Sequence, residues 1–193
     1  MSPMPPAFLT RGAVAGVPGP GPTLVIDPGG GSTEFVIGVM EPIMATSIDM
    51  GSVRLTERLL PERPASRERV DAAAAAVAAM FGEVELPVAP VRTIGVAGTY
   101  TALAAIHLGL AEYDRSMVHG VTLTVEDLDR LVMMLMPLTV DQTAAIPSLA
   151  PGRAPVLLGG AVVAAEAARC SGLDSLIVSE ADLLDGIALG LGR

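Results

Sequence analysis

The sequence contains no lysine, no tryptophan and a single cysteine among its 193 residues. Without lysine, a P-loop lysine and Schiff-base chemistry are both excluded. The lone cysteine, Cys170, cannot form an internal disulfide, and with two histidines it is too few for a zinc site built from cysteine and histidine. This cysteine usage favours a reducing compartment, so we expect a cytoplasmic protein.

Aromatic residues make up 3% of the chain, which leaves too few side chains for stacking on nucleic-acid bases. The net charge is -9 and the sequence pI is about 4.6, so non-specific binding to nucleic acid or to an anionic membrane is disfavoured. The longest apolar stretches are shorter than the roughly 18 to 20 residues that span a bilayer. A hydrophobic content of 51% nevertheless predicts a folded core.

The chain divides into a Pro/Gly-rich segment, residues 1–22, and one domain, residues 23–193. In the domain, three strands in a meander precede alternating helices and strands, in the order βββαβαβα. Strands are predicted at 23–26, 32–39, 43–50, 91–96 and 175–178. Helices are predicted at 53–60, 66–81, 99–108, 124–136, 140–145, 154–170 and 182–191. This pattern predicts an α/β fold of the ribonuclease-H-like type, a mixed five-stranded sheet with helices on both faces.

A glycine-rich motif, Asp-Pro-Gly-Gly-Gly-Ser-Thr-Glu, occupies residues 27–34 between the first two strands. Glycines permit backbone conformations in which consecutive N–H groups converge on an anion, so the motif predicts a phosphate-binding loop. It is neither a Walker A loop nor a good Rossmann fingerprint. Asp27 and Glu34 would be hard oxygen ligands for Mg²⁺. The alternative is a tight hairpin in which Asp27 only caps the turn. The residues expected to bind phosphate here are Gly29, Gly30, Gly31 and Ser32.

A second glycine turn lies between the strand at 91–96 and the helix at 99–108. Gly98 and Thr99 would place free N–H groups and the positive end of a helix dipole at an anion. The alternative is an ordinary strand-to-helix turn with Thr99 as N-cap. Arg54 either reaches a phosphate chain or is a solvated helical arginine. His119 lacks an identifiable partner, and Cys170 is interpreted as a small packing residue.

The two motifs together resemble the exopolyphosphatase and guanosine pentaphosphate phosphohydrolase family, Ppx/GppA, of the actin-like ATPase superfamily. The resemblance is carried by residues 25–34, 51–57 and 95–99, with 103–105 behind the last of these. Weaker similarity continues through residues 118–120, 146–147, 153–160 and 185–187.

The resemblance implies a Mg²⁺-dependent hydrolase of phosphoric anhydrides, acting on inorganic polyphosphate or guanosine pentaphosphate. Asp27 and Glu34 would be catalytic and hold the metal, while the glycine loop, Gly98 and Thr99 neutralise phosphoryl charge. Arg54 would contact phosphate.

Family members resemble two lobes that face each other across a cleft, and this chain resembles only the second. Missing are the first lobe's Asp-x-Gly-Ser-Asn-Ser phosphate loop and the Ser-Gly-x-Glu-Glu-Ala stretch that carries the proposed base. Residues 1–22 would then be a remnant of the connection between lobes. Smaller departures are Pro28, where a β-branched or apolar residue is usual, and Leu183 and Leu184, where many members have an arginine near the last helix.

We therefore expect a chain that is inactive alone, whose first lobe is supplied in cis or in trans, and that forms a homodimer through its uncovered face. The alternatives are a non-catalytic phosphate- or nucleotide-binding module and a self-associating structural fragment.

Overall fold

The computed structural model describes residues 12–181, which form a mixed six-stranded sheet with helices. The strands lie in the spatial order β3-β2-β1-β4-β6-β5. Strands β1 to β3 are an antiparallel meander, β1, β4 and β6 run parallel, and β5 is antiparallel to β6. The strands are β1 (Thr23–Pro28), β2 (Thr33–Gly38), β3 (Pro42–Ile48), β4 (Arg92–Gly95), β5 (Thr122–Thr124) and β6 (Ser175–Val178).

The helices include those predicted before residue 182 and one short helix, at Arg115–Val118, that was not predicted. They are α1 (Ser52–Leu59), α2 (Arg67–Phe81), α3 (Ala97–His107), α4 (Arg115–Val118), α5 (Val125–Leu135), α6 (Val140–Ala144) and α7 (Leu157–Cys170). A 3-10 helix, Pro151–Val156, leads directly into α7. The α/β fold class is confirmed, and the predicted helix at 182–191 lies outside the described residues.

The predicted number of strands is wrong by one, because the sequence analysis missed β5. This strand has only three residues, and its last residue, Thr124, is also the N-cap of α5. Thr124 accepts a hydrogen bond from the Asp127 amide while Asp127 accepts from the Thr124 amide, a reciprocal capping box. The strong helix-start signal therefore hid a short strand that immediately precedes it.

The main core lies between one face of the sheet and the helices. Alternate residues of β1 and β2, Leu24 and Ile26 with Phe35 and Ile37, face the helices and are fully buried. The Phe35 ring meets Phe81 of α2 edge to face, with 5.1 Å between ring centroids. Helix α7 is buried along almost its whole length and packs against α1, α2, α3 and α5.

The opposite face of the sheet carries Val25, Val36, Ile94 and Val96, which pack against Ala13. Residues 12–16 are helical, so part of the segment assigned to a connection is packed on the domain. Arg92 fastens this segment to β1, since its guanidinium donates to the Thr23 hydroxyl at 2.8 Å and to the Val17 carbonyl at 2.7 Å. Within residues 12–181, helices α1 to α7 contribute to the main core on the first face of the sheet. Residues 12–17 pack on the opposite face.

Candidate phosphate-binding site

The glycine loop closes the β1–β2 hairpin and supports the beginning of α1. Pro28 and Thr33 are the last strand pair, and the Gly29 amide donates to the Ser32 carbonyl at 2.9 Å. The amides of Ser52 and Val53, the first two residues of α1, donate to the carbonyls of Gly29 and Gly30, each at 2.9 Å. The loop therefore caps the helix, whose first N–H groups have no partner within the helix itself.

The same bonds decide which groups of the loop remain for a ligand. The carbonyls of Gly29 and Gly30 turn toward α1, and the Ser52 hydroxyl also donates to the Gly29 carbonyl at 3.2 Å. Within the described part of the chain, no residue accepts a hydrogen bond from the amides of Gly30 or Gly31. Two neighbouring N–H groups without acceptors, in a loop of small residues, are suited to binding an anion.

The three glycines were expected to permit special backbone conformations and to keep side chains away from an anion. None of Gly29, Gly30 and Gly31 has a positive φ, so left-handed backbone is not what the loop requires. Space is required instead, since a Cβ on Gly30 would lie 3.2 Å from Cγ2 of Val53. Gly51 is more restricted than Gly30, because a Cβ there would lie 2.6 Å from the carbonyl oxygens of both Gly29 and Gly30. Close approach of α1 to the loop therefore depends on glycine at position 51.

The two predicted carboxylates lie side by side. Asp27 and Glu34 are register partners on β1 and β2, and strand alternation places them on the sheet face opposite the main core. Oε1 of Glu34 accepts hydrogen bonds from the hydroxyls of Ser32 at 2.6 Å and Ser47 at 2.8 Å. Ser47 was not predicted, although it faces Glu34 across the β2–β3 pair and strand alternation could have identified it.

The donor set suits a hard divalent cation. Carboxylate and hydroxyl oxygens are the ligands that Mg²⁺ prefers, and Mg²⁺ commonly binds through one or two carboxylates plus substrate phosphates. Among residues 12–181, no group of three or more His, Cys, Asp or Glu side chains could hold a metal ion. Asp27 and Glu34 would thus provide only part of a coordination shell, and the remaining ligands would be water and phosphate oxygens.

Arg54 lies on the first turn of α1, beside the loop. One of its terminal nitrogens is 3.7 Å from the place a Gly31 Cβ would occupy, and its guanidinium pairs with the exposed Asp49. Its side chain is 28% exposed, whereas that of Asp49 is 74% exposed, so an anion at the loop could compete with a well-solvated partner. The structure brings Arg54 close to the glycine loop, and its contact with a phosphate chain stays a prediction.

The second motif, the glycine turn before α3, lies beside the glycine loop. Thr99 is not the N-cap of α3, a position taken by Val96, but lies in its first turn, where its hydroxyl donates to the Pro28 carbonyl at 3.2 Å. Ala97, the first residue of α3, has φ +64, a left-handed conformation that is costly for a residue with a Cβ. Gly98 is covered by the guanidinium of Arg153, which would collide with any Cβ there.

Three helices, α1, α3 and α7, begin beside the glycine loop. On α7, a Cβ at Gly160 would lie 3.1 Å from Cγ2 of Thr99 and 3.3 Å from Cβ of Ser52, so the first turns of α7, α3 and α1 touch. Each contributes the positive end of its dipole. In a chain of net charge -9, this is a local environment that favours an anion.

Other singled-out residues lie elsewhere. His119 links the Gly16 carbonyl to the Glu180 amide, at 3.0 and 3.2 Å, and both ring nitrogens are used in doing so. The Cys170 thiol donates to the Phe81 carbonyl at 3.4 Å, and burial raises its pKa to about 11, which agrees with a packing role. No helix within residues 12–181 has the length and apolar character needed to cross a membrane.

Replacing Gly51 with alanine should separate α1 from the loop. The added Cβ meets backbone atoms that cannot move away easily, so we expect a loss of about 1 to 3 kcal/mol in unfolding free energy, the usual cost of overpacking. Chemical denaturation measures the loss. Gly152→Ala is the matched control, because nothing lies within 4 Å of a Cβ there. Equal stability of the two variants would contradict the close packing of α1 on the loop.

Comparison with known proteins gives a consistent result. The model of the Ppx/GppA phosphatase family matches residues 7–192. Exopolyphosphatase 2 of Mycobacterium tuberculosis is 41% identical over 189 residues, covering 94% of this chain and 59% of that protein. Exopolyphosphatase 1 of Mycobacterium leprae is 28% identical over 169 residues, covering 85% of this chain and 50% of that protein.

Solved structures agree. The crystal structure of the type II variant of the Aquifex aeolicus Ppx/GppA phosphatase superposes with a TM-score of 0.89 at 26% identity, covering 97% of this chain and 62% of that one. An exopolyphosphatase-like protein gives a TM-score of 0.86 at 35% identity, covering 97% and 65%. The chain therefore spans less than two thirds of each of these relatives. The family predicted from the sequence motifs is confirmed: the chain belongs to the Ppx/GppA phosphatase family.

Proposed function

We propose that this chain is the phosphate-binding lobe of a hydrolase that releases phosphate from inorganic polyphosphate or from guanosine pentaphosphate. The observation that carries the proposal is the glycine loop, whose carbonyls cap α1 while the Gly30 and Gly31 amides stay free of described partners. Family membership and 41% identity to a protein named Exopolyphosphatase 2 support the choice of reaction. We place such an enzyme in the cytoplasm.

The site residues have distinct roles in this proposal. The loop amides and the Gly98 and Thr99 amides bind phosphoryl oxygens, where they offset charge that develops during phosphoryl transfer. Arg54 adds a guanidinium beside the loop. Asp27 and Glu34 would hold a magnesium ion, which when bound supplies further positive charge to the phosphoryl oxygens. Ser32 and Ser47 fix the orientation of Glu34.

The catalytic base is proposed to lie in the remaining part of such an enzyme. The chain spans 59% of Exopolyphosphatase 2, and the resemblance assigns the base to the opposing lobe. A non-catalytic phosphate-binding module is the second candidate. It is favoured by the absence of a third carboxylate, histidine or cysteine beside Asp27 and Glu34 among residues 12–181.

Anion binding to the loop is tested with Gly30→Val. A Cβ at Gly30 already approaches Val53 to 3.2 Å, and the larger side chain covers the free amides, so we expect pyrophosphate binding in magnesium buffer to be abolished. Titration calorimetry measures it. Ala79→Val is the control, because it adds apolar bulk at an exposed position of α2. An unchanged isotherm for Gly30→Val would show that the loop is only a hairpin and does not bind the anion.

Hydrolysis by the 193-residue chain is expected to be near background. Loss of a general base alone lowers rates by about a hundred- to ten-thousand-fold. Phosphate release from polyphosphate with magnesium is the measurement, and binding without turnover is the expected combination. Fast release that Asp27→Asn abolishes would show that the chain carries its own base, and would overturn the two-lobe proposal.

Self-association is a further part of the proposal. Val39, Met40 and Ile43 around the β2–β3 turn are 45%, 59% and 54% exposed, an apolar group on an edge of the sheet. We expect a homodimer, and light scattering over a range of concentrations measures its mass. A constant mass of 19.6 kDa at high concentration would exclude it.

A further inference from the structure

Asp49 pairs with Arg54 beside the glycine loop, and the sequence patterns did not single it out. It follows Ile48, the last residue of β3, and lies two residues before Gly51. Within residues 12–181, Asp49 is the only charged side chain that pairs with Arg54. The positive charge beside the loop is therefore shared with a carboxylate of the same chain.

The two partners are held in place to different extents. Arg54 belongs to the first turn of α1, where its amide donates to the Gly30 carbonyl at 3.2 Å and its guanidinium lies close to Gly31. Its side chain is also the more buried of the two. Asp49 is largely exposed, so water competes for its carboxylate. The place of Arg54 is thus determined by α1 and the loop rather than by the exposed carboxylate.

The energetics favour an exchange of partners. An exposed ion pair contributes little, because water and salt screen it. A guanidinium has five donors in a fixed fork that suits phosphate, and the loop amides would hold the same phosphate group. Arg54 would therefore exchange Asp49 for a phosphate oxygen at little cost, while the charge of Asp49 would repel that phosphate. The carboxylate thus opposes anion binding in two ways.

We propose that Asp49 is a positioning residue that competes with bound phosphate for Arg54 and so lowers the affinity of the glycine loop for anions. The inference rests on the proposed function, because phosphate is the competitor that it assigns. A hydrolase has to release a phosphate group at each turnover, and a carboxylate that takes the guanidinium back favours this release. Asp49 acts through Arg54 and needs no contact with the reacting atoms.

The test is an NMR titration of the isotopically labelled 193-residue chain with pyrophosphate, followed through the amide signals of residues 30 and 31. Asp49→Asn keeps the shape of the side chain and removes its charge. We expect this variant to bind about twofold to fivefold more tightly, the factor that corresponds to an exposed ion pair. Arg54→Gln should weaken binding about tenfold or more, because a hydrogen bond from a charged group is lost.

The double variant separates competition for Arg54 from simple charge repulsion. In the Arg54→Gln background, Asp49→Asn should strengthen binding by a smaller factor than in the wild type, because there is no guanidinium to release. Asp71→Asn is the matched control, since it removes the same charge from an exposed residue of α2 that also pairs with an arginine, Arg67. Its affinity for pyrophosphate should equal that of the wild type.

Titrations with and without magnesium test whether Asp49 instead holds a cation. Loss of a cation ligand would make Asp49→Asn bind pyrophosphate more weakly in magnesium buffer. Competition for Arg54 predicts tighter binding under both conditions. Weaker binding of Asp49→Asn in magnesium therefore overturns the inference.

The outcomes distinguish this inference from the proposed function. If Gly30→Val abolishes binding while Asp49→Asn and Asp71→Asn have the wild-type affinity, the loop proposal stands and the competition is excluded. An equal gain from Asp49→Asn with and without Arg54 also excludes it, since charge repulsion alone then explains the gain. If the gain depends on Arg54 although Gly30→Val binds as the wild type does, the loop proposal fails and the competition is retained. If pyrophosphate binds to no variant, both fail.

Discussion

The arrangement of β1, β2 and α1 around the glycine loop depends on the hydrogen bonds between that loop and the first turn of α1. The carbonyls of Gly29 and Gly30 accept the amides that begin the helix, so one contact both caps α1 and orients the loop. Because those carbonyls face the helix, the amides of Gly30 and Gly31 are left for a ligand. Gly51 makes this approach possible, since no Cβ would fit between the two backbones. The capping of α1 and the availability of the Gly30 and Gly31 amides therefore have the same structural origin.

The remaining packing extends this arrangement to two more helices. Gly159 and Gly160 bring α7 against α1 and α3, and Thr99 ties α3 to the end of β1. An acidic chain thereby gathers several positive helix ends at one place, where the dipoles act within the first turn of each helix. The net charge of -9 opposes polyanion binding over the rest of the surface, so the local backbone geometry has to provide the attraction.

Sequence patterns predicted most elements because their signals are local. Ser66 and Thr124 cap their helices as their positions before polar first turns suggest, and β6 has the predicted bounds. Thr99 is not a cap, because its hydroxyl bonds to the carbonyl of Pro28, a residue distant in sequence. The glycine loop and both carboxylates were identified from the motif, and strand alternation could also have identified Ser47. The position of Arg153 over Gly98 depends on a tertiary contact that one sequence does not display.

Asp27 and Glu34 place two carboxylates opposite each other across the β1–β2 pair. Like charges directly opposite each other on antiparallel strands destabilise the pair, and these two occupy adjacent strands in register. The hydroxyls of Ser32 and Ser47 offset part of this cost by donating to a single oxygen of Glu34, which leaves its other oxygen outside those bonds. Two neighbouring carboxylates, one of them oriented by hydroxyls, are oxygen donors of the kind that a hard divalent cation prefers. The carboxylates and the loop amides thus lie on neighbouring parts of the β1–β2 hairpin, which is the arrangement that the proposed function requires.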